Sequence, residues 1–158
     1  MEIVDFTALP PARHTDAARI LREALAHLPS AYNAPGEAEA EVALRCADRD
    51  WLGHAALEGE RLIGWIGAIR TYRHGWEIHP LVVAPDRQRR GIGSALLADL
   101  IERARALGYH TVIAGADGEQ IASVALHRKF GFEPCAHLKQ VGYKFDRWLD
   151  VIFLQLIL

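Results

Sequence analysis

The stretch from Gly75 to Leu97, GWEIHPLVVAPDRQRRGIGSALL, changes its hydrophobic period in the middle. From Trp76 to Val83 it is apolar and β-branched, which is typical of a strand, and it ends at the turn signal Pro85-Asp86. Beyond the turn the apolar residues recur at helical spacing, which predicts an amphipathic helix. The expected buried face of that helix consists of Ile92, Leu96, Leu97, Leu100, Ile101 and Ala104.

The turn between this strand and this helix predicts a seat for a pyrophosphate. Its residues are Gln88, Arg89, Arg90, Gly91, Ile92, Gly93 and Ser94. A glycine-rich turn that leads into a helix points several backbone N–H groups outward at the positive end of the helix dipole. The turn lacks the lysine of a Walker A loop, and Leu96 stands where a dinucleotide fingerprint needs its third glycine.

The rest of the chain predicts a mixed α/β fold in a single domain of residues 1–158. The order β-α-α-β-β-β-α-β-α-β-β indicates a mostly antiparallel sheet with one parallel step through the helix that starts at Ile92. The other expected elements are strand Ile3–Phe6, a helix capped by Thr15 or Asp16 and running to about Leu28, helix Glu37–Ala47, strands Leu52–Leu57 and Arg61–Ile69 around the turn Glu58-Gly59-Glu60, strand Thr111–Ala114, helix Gln120–Phe130, and strands Phe132–Lys139 and Trp148–Leu158.

The composition limits which partners and which cellular compartment are expected for this protein. The net charge is −2, so neither nucleic acid nor an anionic membrane surface is expected as a partner. The chain starts without an apolar signal segment, which favours a cytoplasmic protein, and its final apolar run is too short to span a bilayer. The histidines lack metal-ligand spacing, so no metal site is expected. We expect Cys46 and Cys135 to be reduced packing residues, with a catalytic cysteine as the alternative.

Two parts of the sequence resemble known acetyltransferases. The run Gln88-x-x-Gly91-x-Gly93 after a strand resembles the acetyl-CoA loop of the GCN5-related N-acetyltransferase (GNAT) superfamily. Residues 31–83 are similar to the aminoglycoside 6′-N-acetyltransferases, whose fourth strand carries a similar Trp-Glu-Leu-His-Pro-Leu-Val-Val run. Residues 120–158 instead resemble the phosphinothricin and methionine-sulfoximine acetyltransferases. Both resemblances imply the GNAT fold, acetyl-CoA as cofactor, and direct acetyl transfer to a primary amine of a small molecule.

The resemblance implies roles for the strand residues. Glu77 would be the base that takes the ammonium proton, whereas pairing with Arg70 or Arg73 is the alternative for its carboxylate. His79 shares the face of Glu77 by the strand period, and would relay a proton or fill a polar pocket.

Pro80 has no N–H, which predicts a bulge or splay at this point of the strand. The resemblance implies that pantetheine enters the gap. The backbone N–H of Leu81 would then polarise the acetyl carbonyl, and the main chain of Val82 and Val83 would bind pantetheine.

Further site residues follow from the last third of the chain and from the acceptor loop. His127 occupies the position of the tyrosine that many GNAT members aim at the CoA sulfur, so it is the candidate acid, and an exposed helix histidine is the alternative. Gln120 replaces the usual asparagine contact to the CoA arm, and Ser123 would share that contact. Tyr32 would touch substrate or be a surface turn residue. The tryptophans expected to fill the core or line pockets are Trp51, Trp65, Trp148 and Trp76, the last also a candidate substrate contact.

Two substrate classes compete. Glu37, Glu39 and Glu41 would attract a polycationic aminoglycoside, whereas Arg70 and Arg73 would suit the carboxylate of an amino acid. We expect the aminoglycoside 6′-amine by a narrow margin, because the acceptor loop and the base strand lie in the half that resembles those enzymes. An amino acid of the phosphinothricin or methionine-sulfoximine type is the alternative. A non-catalytic acyl-CoA sensor and a protein acetyltransferase are further readings, and the apolar final strand could pair with its counterpart in a homodimer.

Overall fold

The computed structural model describes residues 1–26, 32, 34–47, 50–117, 120–144 and 146–158. The order of its strands and helices is the order that the sequence predicts. The elements are β1 (Glu2–Asp5), α1 (Pro11–Ala24), α2 (Glu37–Ala47), β2 (Trp51–Glu58), β3 (Arg61–Tyr72), β4 (Gly75–Val83), α3 (Ile92–Ala106), β5 (Thr111–Asp117), α4 (Ile121–Lys129), β6 (Glu133–Lys144) and β7 (Arg147–Ile157), with short 3-10 turns at Phe6–Ala8 and Pro85–Arg87.

The strands form a mixed sheet in the order β1-β2-β3-β4-β5-β7-β6. The ladders β1–β2, β2–β3, β5–β7 and β6–β7 are antiparallel, and β4–β5 is parallel. The predicted parallel step through α3 is therefore confirmed. Its ladder joins Gly75–Ile78 to Thr111–Ala114, which is the part of β4 that precedes Pro80.

The first helix begins earlier than predicted. Its first residue is Pro11, with Pro10 as the N-cap, so the predicted cap at Thr15 or Asp16 is wrong. Proline suits the first turn because its missing N–H would have no intrahelical partner there. The two prolines therefore start the helix instead of separating it from β1. The helix ends at Ala24, and the predicted end at Leu28 falls outside the described residues.

The chain divides into two compact units. The first unit contains Met1–Ile69 and His79–Leu100, and the second contains Arg70–Ile78 and Ile101–Leu158. The single domain of residues 1–158 stays a prediction. Every helix in the described ranges is too short or too polar to cross a membrane. The described side chains also form no group of three or more metal-ligating residues.

Aromatic packing and strand glycines shape the first unit. The indole N–H of Trp65, a fully buried residue, donates to the carbonyl of Ala17 at 3.1 Å and so ties β3 to α1. The Trp51 indole lies over glycines of β2 and β3. A Cβ built on Gly53 would lie 2.3 Å from its ring, and one built on Gly67 would lie 2.6 Å from its Nε1. Glycine at these two positions therefore makes room for Trp51.

The apolar face predicted for α3 is confirmed, since each of its six residues is at most 5% exposed. These residues are Ile92, Leu96, Leu97, Leu100, Ile101 and Ala104. Burial of such a stripe contributes most of a helix's stability in a small protein, because short helices are marginal in water by themselves.

The second unit contains the hairpin of β6 and β7, which carries two exposed residues that were expected to be packed. Trp148 is 60% exposed and packs edge-on against Tyr143, so the expectation of a core role is wrong for it, whereas a role as a pocket wall stays a prediction. Cys135 lies where the ladder is irregular, between Pro134 and Ala136. Its thiol is exposed and lies 3.5 Å from the carbonyl of Phe153, so it is not a packing residue. Cys46, in contrast, is half-buried, and burial raises the pKa of its thiol.

Candidate functional site

The predicted pyrophosphate turn connects β4 to the N-terminus of α3. Gly91 has a φ of +83°, and a Cβ built on it would meet nothing within 4 Å. Position 91 therefore favours glycine because of its left-handed backbone conformation and not because a side chain would lack space. The amide of Ala95 donates to the carbonyl of Gly91 at 2.9 Å. The amides that precede it in the first turn have no intrahelical acceptor, as at any helix start, and Arg89 and Arg90 beside them are exposed.

Two ion pairs that the sequence reasoning missed hold this turn against the hairpin of β2 and β3. Arg87 pairs with Glu58 at 3.0 Å, and Arg61 pairs with Asp86 at 2.9 Å. Glu58 and Arg61 face each other across the ladder where the hairpin closes. The sequence shows charged residues in both segments, Glu58 and Arg61 at the hairpin and Asp86 and Arg87 in the turn. Which of them pair depends on the tertiary fold, so the sequence alone does not predict the two ion pairs.

Gln88, predicted to contact the cofactor, folds back on β4. Its amide Nε2 donates to the carbonyl of Val83 at 3.2 Å. That carbonyl belongs to the main chain predicted to bind pantetheine, so Gln88 already occupies one of its two lone pairs. Val82 is 3% exposed, whereas Leu81 and Val83 are half-buried.

Glu77 is half-buried in the second unit, and one of its carboxylate oxygens accepts a hydrogen bond from the strand before it. The hydroxyl of Thr71 donates to Oε2 of Glu77 at 3.2 Å. Arg70 and Arg73 are both exposed, and Arg73 lies in the two-residue link between β3 and β4. The hydroxyl orients the carboxylate and leaves lone pairs for a proton.

His79 lies against two residues of α2, and the sequence reasoning missed the second of them, Arg45. Nδ1 of His79 is 3.3 Å from Oε1 of Glu41 and 3.4 Å from Nη2 of Arg45. Tyr32, the predicted substrate contact, packs against the core of the same unit with a φ of +56°. Burial raises the pKa of Tyr32, and the charge of Glu41 adds to the rise. Tyr32 is thus partly packed and not a free surface turn residue.

The acidic residues of α2 are all engaged. Glu41 accepts from Nη2 of Arg45 at 2.6 Å and from its Nε at 2.9 Å. Glu39 forms an ion pair with Arg22, and that hydrogen bond lowers the pKa of Glu39. Glu37 accepts from the backbone N–H of Ala34 at 3.0 Å, next to the start of the helix.

His127 is buried, so the alternative of an exposed helix histidine is wrong. It is 4% exposed, and its ring packs edge-on against Phe132. Its Nδ1 lies 2.8 Å from the carbonyl of Ser123, one helical turn earlier, and therefore donates to it. Burial lowers the pKa of His127, and the bond to Ser123 opposes only part of that shift. At neutral pH its Nε2 therefore carries a lone pair, and that atom has no partner among the described residues.

Two more predicted site residues lie in the second unit. Trp76 is 5% exposed and packs edge-on against Tyr109, with its Nε1 buried and without a partner among the described residues. Trp76 therefore lies in the core of that unit, which is one of the roles that the sequence predicted for it. Its role as a substrate contact stays a prediction. Gln120 is the N-cap of α4, and its carbonyl accepts from Val124.

A comparison with protein families decides the identity of the fold. The model described as "Acetyltransferase (GNAT) family" matches residues 15–132. The chain belongs to the GNAT acetyltransferase family. Members of this family use acetyl-CoA, and the α3 turn fits an acyl-CoA pyrophosphate: it combines outward amides at the start of a 15-residue helix with exposed arginines.

Named relatives of this GNAT chain include amino-acid acetyltransferases. An L-methionine sulfoximine/L-methionine sulfone acetyltransferase of Pseudomonas paraeruginosa is 48% identical over 78 residues, covering 49% of this chain and 45% of the relative. The match thus spans about half of that protein. A phosphinothricin acetyltransferase from Sinorhizobium meliloti, solved with acetyl-CoA, has a TM-score of 0.85 and 32% identity, covering 99% of this chain and 88% of that one.

Other solved GNAT structures carry different substrate names. A ribosomal-protein-alanine N-acetyltransferase from Brucella melitensis has a TM-score of 0.85 and 34% identity, with 100% of both chains covered. An aminoglycoside 6′-acetyltransferase type Ii has a TM-score of 0.83 and 26% identity, covering 99% of this chain and 97% of that one. The fold is therefore common to enzymes with several acceptors, and the acceptor has to be argued from the site.

Proposed function

We propose that this GNAT protein is an acetyl-CoA-dependent N-acetyltransferase that acetylates the α-amine of a small amino acid of the phosphinothricin or methionine-sulfoximine type. This reverses the narrow preference for an aminoglycoside that the sequence suggested. The curated relative with the methionine-sulfoximine name supports the amino-acid reading.

The pairing of the carboxylates of α2 is the observation that carries the proposal. A polycationic acceptor requires uncompensated negative charge around its amines, since like charges or neutral surroundings bind it poorly. Arg45 neutralises Glu41, Arg22 neutralises Glu39, and Glu37 is engaged with the backbone at Ala34. Two of the three carboxylates that favoured an aminoglycoside are thus paired with arginines within the protein, whereas Glu37 is hydrogen-bonded but keeps its charge.

The carboxylate of an amino acid requires the opposite charge. Arg73 is exposed in the link that precedes β4, four residues before Glu77. A guanidinium binds a carboxylate bidentately, which both attracts and orients an amino acid. Arg73 is therefore the proposed carboxylate ligand, with Arg70 as a second candidate.

The chemistry assigned to this chain requires a proton acceptor and a polarised carbonyl. Bound acetyl-CoA supplies the thioester that the amine attacks. Glu77, oriented by Thr71, is the proposed proton acceptor for the ammonium group. The guanidinium of Arg45 can only donate to Nδ1 of His79, which places the ring proton on Nε2, so a proton relay through His79 is not part of the proposal. The backbone N–H of Leu81 is the proposed donor to the thioester carbonyl.

The role of His127 as the acid stays a prediction. The donation from its Nδ1 to Ser123 leaves Nε2 without a proton at neutral pH, and burial opposes the second proton that an acid would need. The homodimer and the cytoplasmic location also stay predictions.

An amine panel tests the proposed function. CoA thiol release from acetyl-CoA is measured with phosphinothricin, methionine sulfoximine, kanamycin, tobramycin and a peptide with N-terminal alanine, and mass spectrometry identifies each product. We expect kcat/KM for one of the two amino acids to exceed that for every other amine by about tenfold or more. A preference for an aminoglycoside or for the peptide would overturn the substrate class, and no release with any amine would favour the acyl-CoA sensor.

A matched pair of arginine variants tests the carboxylate ligand. Arg73→Ala should raise KM for the amino acid about tenfold and leave KM for acetyl-CoA unchanged, because it removes a bidentate charge contact. Arg105→Ala removes an exposed arginine near the end of α3, and both constants should stay within about twofold of wild type. Equal effects of the two substitutions would exclude Arg73 as the ligand.

A further inference from the structure

A cavity of about 360 Å³ lies in the second unit between α4 and the hairpin of β6 and β7. Helix α4 contributes Val124 and Arg128 to its lining, β6 contributes the four consecutive residues 134–137, and β7 contributes Ile152. The volume is at the lower end of the range for small-molecule sites. Among the described residues of the lining, none belongs to the predicted acetyl-transfer site, so the proposed reaction does not use this α4–β6 cavity.

A β-bulge in β6 forms one wall of the α4–β6 cavity. Pro134 pairs with Leu154 and Ala136 pairs with Phe153, so Cys135 is an extra residue in the ladder. In a regular strand successive side chains point to opposite faces, and a bulge changes the direction of one of them. The bulge thus lets consecutive residues of β6 line one cavity, and the exposed thiol of Cys135 is among them.

Arg128 supplies the uncompensated charge of this cavity. The residue is exposed, and its guanidinium has no hydrogen-bonding or ion-pair partner among the described residues. The described lining also contains no aspartate or glutamate. A guanidinium only donates hydrogen bonds, and it binds a carboxylate bidentately. The free group at the wall therefore requires an anionic acceptor from outside the chain.

His137, the other ionisable nitrogen base of the wall, is already paired. Its Nε2 lies 2.6 Å from Oδ2 of Asp150, and Oδ1 of Asp150 accepts from the backbone N–H of Gln140 at 3.0 Å. The bond from Gln140 and then that from His137 lower the pKa of Asp150, so this carboxylate is ionised at neutral pH. Asp150 is thus bound within the hairpin, lies outside the lining and forms no ion pair with Arg128.

We propose that the α4–β6 cavity binds a small organic carboxylate that has a short apolar body and no free amine. Arg128 binds the carboxylate, and Val124, Ala136 and Ile152 pack against the apolar body. A free amino acid fits poorly, because its ammonium group would lose water without a carboxylate to replace it.

Two sources supply a carboxylate of this kind. Acetylation converts the ammonium group of an amino acid into a neutral amide, so an N-acetyl amino acid has the required chemistry. A short-chain fatty acid has it too. Identifying the ligand as the product of this protein rests on the proposed N-acetyltransferase function, whereas the binding site itself does not.

Alkylation of Cys135 measures the charge of the cavity. Its thiolate attacks the methylene carbon of iodoacetate, which carries a carboxylate, or of iodoacetamide, the neutral counterpart, and iodide leaves in both cases. Mass spectrometry of the Cys135 peptide gives the two rate constants. Their ratio does not depend on the thiolate fraction, because both reagents attack the same thiolate.

A matched pair of variants in α4 tests the role of Arg128. We expect Arg128→Gln to lower the ratio of the iodoacetate rate to the iodoacetamide rate about threefold, because it removes one positive charge from the wall. Lys129→Gln removes the next cation of the helix, which is exposed and outside the lining, and should change the ratio less than about 1.5-fold. Equal ratios in the wild type and Arg128→Gln would overturn the proposal.

Protection of the same thiol measures occupancy without acetyl-CoA or turnover. The full chain is alkylated with iodoacetamide in an excess of N-acetyl-L-methionine sulfone, L-methionine sulfone or hexanoate. We expect the N-acetyl compound to slow alkylation of Cys135 about threefold or more and the free amino acid to have no effect. Cys46 in the first unit should keep its rate throughout. Arg128→Gln should abolish the protection, and Lys129→Gln should retain it.

The pattern of protection separates the two sources of ligand. Protection by hexanoate as well would support a site for short carboxylates in general, whereas protection by the N-acetyl compound alone would support a product site. Equal protection by the free amino acid, or none by either carboxylate, would overturn the proposal. Protection in a chain that turns over no amine would overturn the proposed function and leave the carboxylate site in place.

Discussion

Gly64 offers the sharpest test of how β3 packs against β4. A Cβ built on Gly64 would lie 2.9 Å from the carbonyl oxygen of Val82 and 3.3 Å from Cα of Val83. Both obstacles are backbone atoms, so no side-chain rotation can relieve them. Optimal carbon contacts lie at about 3.5 Å or more, and the Gly64→Ala variant must therefore separate the two strands by roughly half an ångström.

The magnitude follows from the cost of overpacking. Extra carbon in a well-packed site typically costs about 1–3 kcal/mol in the free energy of unfolding. At about 2–4 °C per kcal/mol for a chain of this size, Tm should fall by about 2–12 °C. Since Val82 and Val83 are the proposed main-chain ligands of pantetheine, KM for acetyl-CoA should rise as well.

Thermal unfolding followed by circular dichroism measures the change, with Gly142→Ala as the matched control. Gly142 is also a strand glycine, but a Cβ on it would be 3.6 Å from its nearest neighbours, both in Leu149, which is an ordinary contact. Its Tm should stay within about 2 °C of wild type or rise slightly, because alanine reduces the entropy of the unfolded chain. Equal Tm changes in the two variants would refute the close approach of β3 and β4.

Three further predictions concern the cofactor turn, the base and the buried histidine. Gly93→Val should weaken acetyl-CoA binding in calorimetry with little loss of fold, because a side chain at the start of α3 obstructs the outward amides; unchanged affinity in a folded variant would exclude this turn as the pyrophosphate seat. Glu77→Gln should lower kcat by roughly 10²–10⁴ if its carboxylate is the main base, and a loss under about threefold at neutral pH would show that another group takes the proton. Because burial lowers the pKa of His127 below that of the unfolded chain, its contribution to stability is complete above about pH 6.5 and is lost as the pH falls through the folded pKa. The Tm of His127→Phe should therefore fall less steeply on acidification than that of wild type, and parallel curves would contradict the shift.

Local patterns of hydrophobic periodicity and turn residues in the sequence predicted most of the fold. The bounds of α2, Glu37–Ala47, and the buried face of α3 were both predictable, because a strong helical period and nearby turn residues agree there. The start of α1 was not, since a proline pair reads equally as a breaker and as a first turn. The choice between these readings depends on which residues pack against the core, and no local signal reports that.

The site was less accessible to sequence reasoning for the same reason. Glu41 and His79 are 38 positions apart, and the contact between them exists only because α2 packs beside β4. The charges of α2 were visible as acidic residues, but their arginine partners were not, so the sequence overstated the negative charge. Trp148 shows the converse error, because a large aromatic side chain predicts burial and yet is mostly exposed on the β6–β7 hairpin.

The exposed thiol of Cys135 has a practical consequence for any assay that follows CoA by its sulfhydryl. Aromatic disulfide reagents react with accessible thiolates, and they do not distinguish the product from the enzyme. Cys135 should consume about one equivalent of reagent per chain before turnover is visible, whereas Cys46, half-buried and with a raised pKa, should react far more slowly. The size of that initial burst counts protein molecules, so the same trace that reports a steady-state rate also calibrates the total concentration of chains.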